Sequence, residues 1–249
     1  MRKPLLAGNW KMNTVLQESV QLAEALNKLV GDVNDRDILV CPPFTAINSV
    51  AEALRNSVIM VGGQDLFWEE KGAFTGQVSP KMLKSVGASY VIIGHSERRQ
   101  FFAETDETVN KKLCAALANN LHPIICVGEM LAERENNTTL KVIEKQIKGG
   151  LKGLAVGDAQ RITVAYEPVW AIGTGKTATP EQAQEVHAFI RKLLVEMFDK
   201  PTAEIIRILY GGSVTPDNIK VLMAQADIDG GLVGGASLKA DSFAKLVKY

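Results

Sequence analysis

Three ionisable side chains, Lys11, His95 and Glu167, each follow a short apolar segment of the sequence. Glu167 also precedes Pro168 and a loop, residues 169–175, that contains two glycines. A carboxylate can take a proton from carbon, a neutral imidazole can donate to a carbonyl oxygen, and an ammonium can attract developing negative charge. Together the three predict proton abstraction next to a carbonyl group, with Glu167 as the base and the loop as a mobile lid.

His95 lies between an apolar run, Tyr90–Ile93, and a helix predicted to begin at Ser96. Backbone N–H groups and the helix dipole at that position disfavour protonation of the ring and favour a neutral donor. The other histidines lie elsewhere, because His122 precedes a strand and His187 falls within a helix. Both are predicted to have structural or solvent-facing roles.

Two polar side chains are weaker candidates beside Lys11. We group Glu97 with the catalytic residues because it can orient the lysine ammonium, and Asn9 with the substrate-binding residues because it can hold the lysine or a substrate. Lys11 is itself expected to attract a substrate phosphate. Capping or packing roles for Glu97 and Asn9 stay open as the alternative.

Glycine-rich turns after the later apolar runs predict a phosphate site. Backbone N–H groups can bind the anion where the main chain approaches closely, and glycine leaves room for that approach. The substrate-binding candidates here are Gly173, Ser213, Gly234 and Gly235. Each glycine alone is equally consistent with an ordinary turn, so the prediction rests on their combination.

Strands and helices in regular alternation must position these groups. Eight continuous apolar runs are typical of parallel strands covered on both faces. They are Leu5–Ala7, Ile38–Val40, Val58–Val61, Tyr90–Ile93, Ile124–Val127, Ile162–Ala165, Ile205–Leu209 and Leu232–Val233. Amphipathic stretches lie between them, with helix starts predicted at Thr105, Thr179 and Thr215.

We therefore predict an α/β fold, a single (β/α)₈ barrel domain over residues 1–249 with eight parallel strands ringed by helices. No linker or shift in composition divides the chain. Active sites in this fold lie on the loops at the C-terminal ends of the strands, where the candidate groups fall.

Composition narrows the possible partners and cofactors. The 28 Lys and Arg residues balance 28 Asp and Glu residues, which disfavours a nucleic-acid or membrane partner. Cys41, Cys114 and Cys126 lack disulfide or zinc spacing, which predicts a reducing, cytoplasmic location and no metal site. Residues 175–177 read Gly-Lys-Thr but lack the earlier glycine of a P-loop, so no nucleotide cofactor is expected.

Five segments closely resemble the triosephosphate isomerase family. They are Ala7–Asn13, Gly94–Arg99, Ala165–Gly175, Tyr210–Val214 and Leu232–Leu238, in the family's order from first strand to last. The resemblance implies interconversion of dihydroxyacetone phosphate and D-glyceraldehyde 3-phosphate through an enediol(ate), in glycolysis and gluconeogenesis. It implies Glu167 as the base and neutral His95 as the electrophile, a pairing for which this family is itself the standard example.

The resemblance also implies a homodimer. Residues Gln64–Gly76 look like the family's long third βα loop, which inserts beside the active site of the neighbouring subunit. Independently, Phe67, Trp68 and Phe74 form an apolar group that would be partly exposed to solvent in a monomer. The alternative is that these aromatic side chains pack onto their own barrel.

Two other functions stay open from the residues alone. Lys11 could be the Schiff-base nucleophile of a sugar-phosphate aldolase, or the barrel could bind phosphate without catalysis. The aldolase predicts borohydride inactivation that depends on dihydroxyacetone phosphate.

Overall fold

The computed structural model describes residues 2–172 and 177–249. Within them, eight parallel strands pair in sequence order around a closed barrel. They are β1 (Leu5–Asn9), β2 (Asp37–Cys41), β3 (Ile59–Gly63), β4 (Tyr90–Ile93), β5 (His122–Val127), β6 (Thr163–Tyr166), β7 (Arg207–Tyr210) and β8 (Gly230–Val233). This confirms the predicted α/β class and the (β/α)₈ barrel.

The barrel closes because β1 pairs with a strand on each side. On one side Leu5 lies opposite Asp37 of β2, and on the other it lies opposite Gly230 of β8. The pairing continues to Gly8, which lies opposite Val233. The C-terminal ends of the eight strands consequently share one rim.

Apolar side chains fill both sides of the sheet. Successive residues of β1 alternate, so that Leu5 and Ala7 point into the barrel while Leu6 packs outward against the helices. Buried apolar residues on both faces explain why the strands read as continuous apolar runs. The inward set is Leu5, Ala7, Leu39, Cys41, Tyr90, Ile92, Ile124, Cys126, Ala165, Leu209 and Leu232.

Helices surround the barrel in the described part of the chain. They are α1 (Leu16–Val30), α2 (Ile47–Ala53), α3 (Pro80–Ser85), α4 (Ser96–Phe101), α5 (Asp106–Ala118), α6 (Leu131–Glu135), α7 (Thr139–Gly150), α8 (Val156–Ala159), α9 (Pro180–Met197), α10 (Lys200–Ile205), α11 (Ile219–Met223) and α12 (Ala240–Val247). Short 3₁₀ helices span Phe44–Ala46, Val169–Ala171 and Gly235–Leu238.

Side-chain caps fix two helix starts that the sequence predicts. The hydroxyl of Thr105 accepts a hydrogen bond from Thr108 N–H at the start of α5, at 3.3 Å. At the start of α9, Thr179 accepts in the same way from Gln182 N–H, at 3.2 Å. Each bond satisfies a backbone donor that the first helical turn leaves unpaired.

The predicted helix start at Thr215 is wrong by about one turn. Thr215 N–H donates to the side chain of Asn218 at 2.8 Å, and residues 216–218 form a turn before α11 begins at Ile219. The Thr215 carbonyl accepts from Asn218 N–H at 3.2 Å and from Ile219 N–H at 3.1 Å, so this turn leads directly into α11.

The predicted strand Ile205–Leu209 is also too long at its beginning. Asp199 caps α10 by accepting from Thr202 N–H at 2.7 Å, and this helix takes in Ile205. Strand β7 then begins at Arg207. Among the described residues, no helix has the length and apolar character needed to cross a membrane.

Candidate active site

Lys11, His95 and Glu167 converge at the C-terminal rim although they are far apart in the sequence. They follow β1, β4 and β6 respectively. One Glu167 oxygen, Oε1, lies 2.9 Å from His95 Nε2, and the other accepts a hydrogen bond from Ser96 N–H at 2.9 Å. Glu167 is 2% exposed and His95 5% exposed, so this contact is nearly sealed from bulk water.

The His95 ring is oriented from both of its nitrogens. Glu97 N–H donates to Nδ1 at 3.2 Å, so the proton of a neutral ring resides on Nε2, the atom that faces Glu167. Burial disfavours the imidazolium, but the Glu167 carboxylate favours it more and raises the pKa of His95. A neutral ring with its proton on Nε2 can donate that proton in a hydrogen bond to the ionised Glu167 carboxylate, as the 2.9 Å contact allows.

The Glu167 carboxylate is stabilised in its ionised form. Burial acts to raise its pKa, but the attraction of His95 and the Ser96 N–H bond outweigh burial and hold the pKa of Glu167 below its ordinary value. A buried carboxylate that is ionised at neutral pH can accept a proton.

Lys11 is held at both its backbone and its ammonium. Its N–H donates to Asn9 Oδ1 at 3.0 Å, and its carbonyl accepts from Gln64 Nε2 at 2.8 Å. The ammonium donates to Glu97 Oε1 at 2.6 Å. Asn9 and Glu97 thus make the contacts with Lys11 that were predicted, whereas the contact from Gln64 has no local sequence signal.

A cavity of about 320 Å³ opens beside these groups. It is at the small end of ligand pockets, which span about 300–1,000 Å³, and therefore suits a small molecule. Its lining joins the candidate acid–base groups to the glycine-rich turns. The lining residues are Asn9, Lys11, His95, Glu167, Ile172, Gly211, Gly212, Ser213, Val214, Thr215, Leu232, Val233, Gly234, Gly235 and Ala236.

The glycine-rich part of the cavity lining has the features of an anion site. Ser213, Gly234 and Gly235 line it, and Gly235 begins the 3₁₀ helix Gly235–Leu238. A Cβ added at Gly235 would meet no atom within 4 Å, so the main chain there faces open space. Backbone donors at such a turn suit a phosphate. Gly173, the fourth predicted contact, lies outside the described residues.

Glu129 is a buried carboxylate to which the sequence assigns no role, although it closely follows β5. Its Oε1 accepts from Tyr166 O–H at 3.1 Å and from Trp170 Nε1–H at 2.9 Å. Burial raises the pKa of Glu129. Because Tyr166 and Trp170 flank Glu167 in the chain, Glu129 fixes the segment that carries the candidate base.

Two other features of the described chain were considered as sites. A cavity of about 580 Å³ lies at the opposite end of the barrel. Its Arg2 and Arg207 pair with Asp229 at 2.5 Å and Asp37 at 2.7 Å, which makes it a salt-bridged surface. Residues 2–172 and 177–249 contain no group of three or more His, Cys, Asp or Glu that could hold a metal ion.

The fold and the site define a β/α-barrel enzyme of acid–base type, with a carboxylate–imidazole pair beside an anion cavity. The family model described as triosephosphate isomerase matches residues 4–249. The chain belongs to the triosephosphate isomerase family, as the sequence predicts.

Relatives and a solved structure agree over nearly the whole chain. The triosephosphate isomerases of Endomicrobium trichonymphae and Moorella thermoacetica are 60% and 61% identical, covering 100% of this chain and 99% of each relative. The crystal structure of triosephosphate isomerase from Bartonella henselae is similar with a TM-score of 0.90 and 41% identity, covering 98% of this chain and 97% of that one.

Proposed function

We propose that the protein is a triose-phosphate isomerase that interconverts dihydroxyacetone phosphate and D-glyceraldehyde 3-phosphate. The observation that carries the proposal is the 2.9 Å contact between Glu167 Oε1 and His95 Nε2 beside the small cavity. The identity to curated isomerases over the full length supports the same reaction. Nothing in the comparisons supports an aldolase or a non-catalytic barrel.

Glu167 acts as the base in this reaction. Its carboxylate takes a proton from the substrate carbon next to the carbonyl, and the C–H electron pair forms the double bond of the enediol(ate). The carbonyl electron pair moves onto oxygen, where His95 Nε2–H donates a hydrogen bond or the proton. The hydroxyl oxygen on the carbon that lost the C–H proton gives its own proton to His95 Nε2 and becomes the new carbonyl oxygen. Protonated Glu167 returns its proton to the neighbouring carbon, which completes the isomerisation.

The same step changes the environment of His95. When Glu167 accepts the proton it loses the charge that raises the pKa of His95. The Glu97 N–H bond to Nδ1 keeps the proton of the neutral ring on Nε2, where it is directed at the substrate oxygen. The two residues supply both proton-transfer roles, so no step of this reaction calls for a metal or a cofactor.

Lys11 supplies positive charge to the same reaction. Its ammonium lies in the cavity and is oriented by Glu97 at 2.6 Å, while Asn9 fixes its backbone at 3.0 Å. An ammonium there attracts the substrate phosphate and the developing oxyanion. We assign Asn9 to substrate contact as well, because its side chain also lines the cavity.

The phosphate is assigned to the glycine-rich end of the cavity. Ser213, Gly234 and Gly235 provide main-chain donors there, and Gly173 joins them when the lid, Val169–Lys176, closes. Closure excludes water from an enediolate that could otherwise be reprotonated wrongly or lose phosphate. Trp170, which donates a hydrogen bond to Glu129, anchors the N-terminal part of the lid.

A homodimer is part of the proposal, formed through the loop Gln64–Gly76. The Phe67 ring packs at a tilt against Trp68 and Phe74, with ring centroids 4.1 Å and 4.6 Å apart, and Phe74 is 42% exposed. Wild-type protein at micromolar concentration should scatter light as twice 27.0 kDa. Phe74→Glu should shift the mass to the monomer, and Val221→Glu, at another exposed apolar residue, should not.

A monomeric wild type would contradict the proposed dimer but not the proposed reaction.

We also infer that residues 1–249 form a single domain, because β1 and β8 pair directly although they lie near opposite ends of the chain. A cytoplasmic location is proposed from the reaction and from the unpaired cysteines at positions 41, 114 and 126.

Turnover separates the three candidate activities. Purified protein supplied with dihydroxyacetone phosphate should form glyceraldehyde 3-phosphate in an assay coupled to a dehydrogenase, and borohydride should not inactivate it. Substrate-dependent inactivation by borohydride would favour the aldolase. Phosphate binding without turnover would favour the non-catalytic barrel.

A further inference from the structure

The salt-bridged cavity at the N-terminal end of the barrel is separate from the candidate active site. Lys3 of its lining leads into β1, while Tyr90, His122 and Arg207 begin β4, β5 and β7. A strand of five residues such as β1 is about 16 Å long, so the two cavities lie at opposite rims. The N-terminal cavity, at about 580 Å³, is the larger of these two, since the candidate active site has about 320 Å³.

Cationic side chains predominate on the walls of the N-terminal cavity. Four lining residues are cations and one is a carboxylate, namely Arg2, Lys3, Arg161 and Arg207 against Glu204. Asp37 and Asp229 pair with three of these cations but do not line the cavity. The cations therefore border the open space, and these two carboxylate partners do not.

Arg161 is held mainly by neutral groups. Its Nη2 donates to the Leu117 carbonyl at 3.1 Å and to Asn120 Oδ1 at 3.3 Å. Its one ion pair among the described residues is with Asp158, at 3.7 Å, and that carboxylate side chain is 48% exposed. Exposed pairs of this kind are weak and screened by water. The guanidinium is thus fixed in place while its charge stays available to a ligand.

The surroundings of His122 also indicate positive potential in this cavity. The His122 ring lines the cavity and lies against Tyr90, with ring centroids 5.1 Å apart. Burial lowers the pKa of His122, a backbone group of Arg161 opposes this, and the charges of Arg161, Arg207 and Lys84 lower the pKa further. An anion in the cavity would offset those three charges.

We propose that the N-terminal cavity binds a small multivalent anion, a phosphate ester or a polycarboxylate, through Arg161, Arg207 and Lys3. Guanidinium groups match the oxygen geometry of phosphates and carboxylates, and an ammonium adds a point charge. Ile162 and Ile205 on the same lining suit the carbon skeleton of an organic anion. This site uses no residue of the proposed isomerase reaction and is independent of that reaction.

NMR of the ring nitrogens in ¹⁵N-histidine-labelled protein separates the two cavities, because one histidine lines each. His122 lines the N-terminal cavity, His95 lines the candidate active site, and His187 lines neither. Labelled wild-type protein would be titrated with inorganic pyrophosphate and, separately, with citrate, at constant pH and ionic strength. We expect the His122 signals to shift with a dissociation constant of about 1 mM or tighter, while the His187 signals stay in place. The bound anion should also raise the pKa of His122.

Removal of single charges tests which side chains hold the anion. Arg161→Met should weaken binding at His122 by about 10-fold or more, the loss expected for a hydrogen bond to a charged group. The matched control is Arg55→Met, which removes the same charge from a side chain that is 69% exposed and outside this lining. It should bind as wild type does. Lys3→Met, at a side chain that is 52% exposed, should weaken binding by about threefold to tenfold even if Arg161→Met fails to fold.

The two probes identify the chemistry that the site recognises. Binding of pyrophosphate alone would assign phosphate, binding of citrate alone would assign carboxylate, and equal binding would assign charge. Lys11→Met should weaken any shift at His95 and leave the dissociation constant at His122 unchanged. If the wild type proves inactive as an isomerase, the His122 titration still decides this site.

Three results would overturn the proposal. The first is that the His122 signals do not shift with either probe. The second is that folded Arg161→Met and Lys3→Met bind the anions as tightly as wild type. The third is that Lys11→Met removes the His122 shift together with the His95 shift, because the anion would then be bound only at the candidate active site.

Discussion

Shortening the proposed base by one methylene, Glu167→Asp, tests whether its carboxylate acts through its position. The two oxygens reach His95 Nε2 and Ser96 N–H, each at 2.9 Å. The backbone cannot easily follow them, because Glu167 N–H donates to Val127 O at 2.7 Å. The substitution therefore withdraws the carboxylate by roughly 1.5 Å, one C–C bond length.

The expected magnitude follows from that distance. A 1 Å misplacement of a reacting group costs about 100-fold in rate, so kcat should fall at least about 100-fold, or about 2.7 kcal/mol in activation free energy. KM should change by less than about fivefold, because the proposed phosphate contacts at Ser213, Gly234 and Gly235 do not involve residue 167.

The assay is glyceraldehyde 3-phosphate formation followed over a range of dihydroxyacetone phosphate concentrations. Glu107→Asp serves as the control for shortening a glutamate, since that side chain is 78% exposed. Thermal unfolding of both variants checks the fold, with a loss of about 0.8 kcal/mol expected for the missing buried methylene. A folded Glu167→Asp enzyme with wild-type kcat would refute the assignment of Glu167 as the base.

Three further outcomes are expected. Lys11→Met should raise KM, lower kcat and weaken the salt dependence of KM in the same assay, because it removes the ammonium that lies in the cavity. Gly128→Ala would place a Cβ 1.8 Å from the carbonyl oxygen of Glu167 and should lower the melting temperature by roughly 4–10 °C in a thermal scan. Burial lowers the pKa of His187 to about 4, so between the unfolded value of about 6.5 and that pH the folded chain binds fewer protons. Stability should consequently fall by up to about 3 kcal/mol as the pH drops from 6.5 to 4, measured by denaturant unfolding, and His187→Gln should remove this loss.

Each of these outcomes has a control and a contrary result. Lys141→Met is the control for an exposed lysine, and Gly157→Ala adds a Cβ that meets no atom within 4 Å. His122→Gln is the comparison for the buried histidine: burial also lowers the pKa of half-buried His122, so this variant should remove less of the loss than His187→Gln does. A lysine variant with unchanged kinetics, a glycine variant as stable as its control, or an unaltered pH slope would each contradict the corresponding prediction.

The strands and their common rim were predictable because both faces of each strand are buried. Tyr90–Ile93 is apolar throughout, and its bounds agree with β4. The loop groups at the ends of such strands must then meet at one rim, which is why Lys11, His95 and Glu167 could be grouped before their geometry was known.

Local hydrogen bonds explain the two element boundaries, at Ile205 and Thr215, that differ from the prediction. Ile205 is apolar and adjoins a strand, yet the Asp199 cap draws it into α10, where it is 51% exposed. After Thr215, whose N–H donates to the Asn218 side chain, residues 216–218 form a turn before α11 begins. Both outcomes depend on single hydrogen bonds that an apolar pattern does not report.

Long-range contacts were the least predictable part of the site. Ser96 reaches Glu167 through its backbone N–H, which every residue except proline possesses, so its side chain carries no signal. Glu104 and Lys112 are eight residues apart and look like ordinary surface charges in the sequence, but both are buried, and Lys112 contacts both Glu104 and Asp65. Only the folded chain shows which charges are paired behind the His95 segment.

Proton transfer through an enediol(ate) by Glu167 is tested most directly by isomerisation in D₂O. Dihydroxyacetone phosphate would be incubated with wild-type protein and with Glu167→Gln, and the products examined by NMR. We predict that wild-type protein forms glyceraldehyde 3-phosphate carrying solvent deuterium at C2, and that the variant forms almost none. Product without deuterium from the wild type, or equal labelling by the variant, would contradict proton transfer by Glu167.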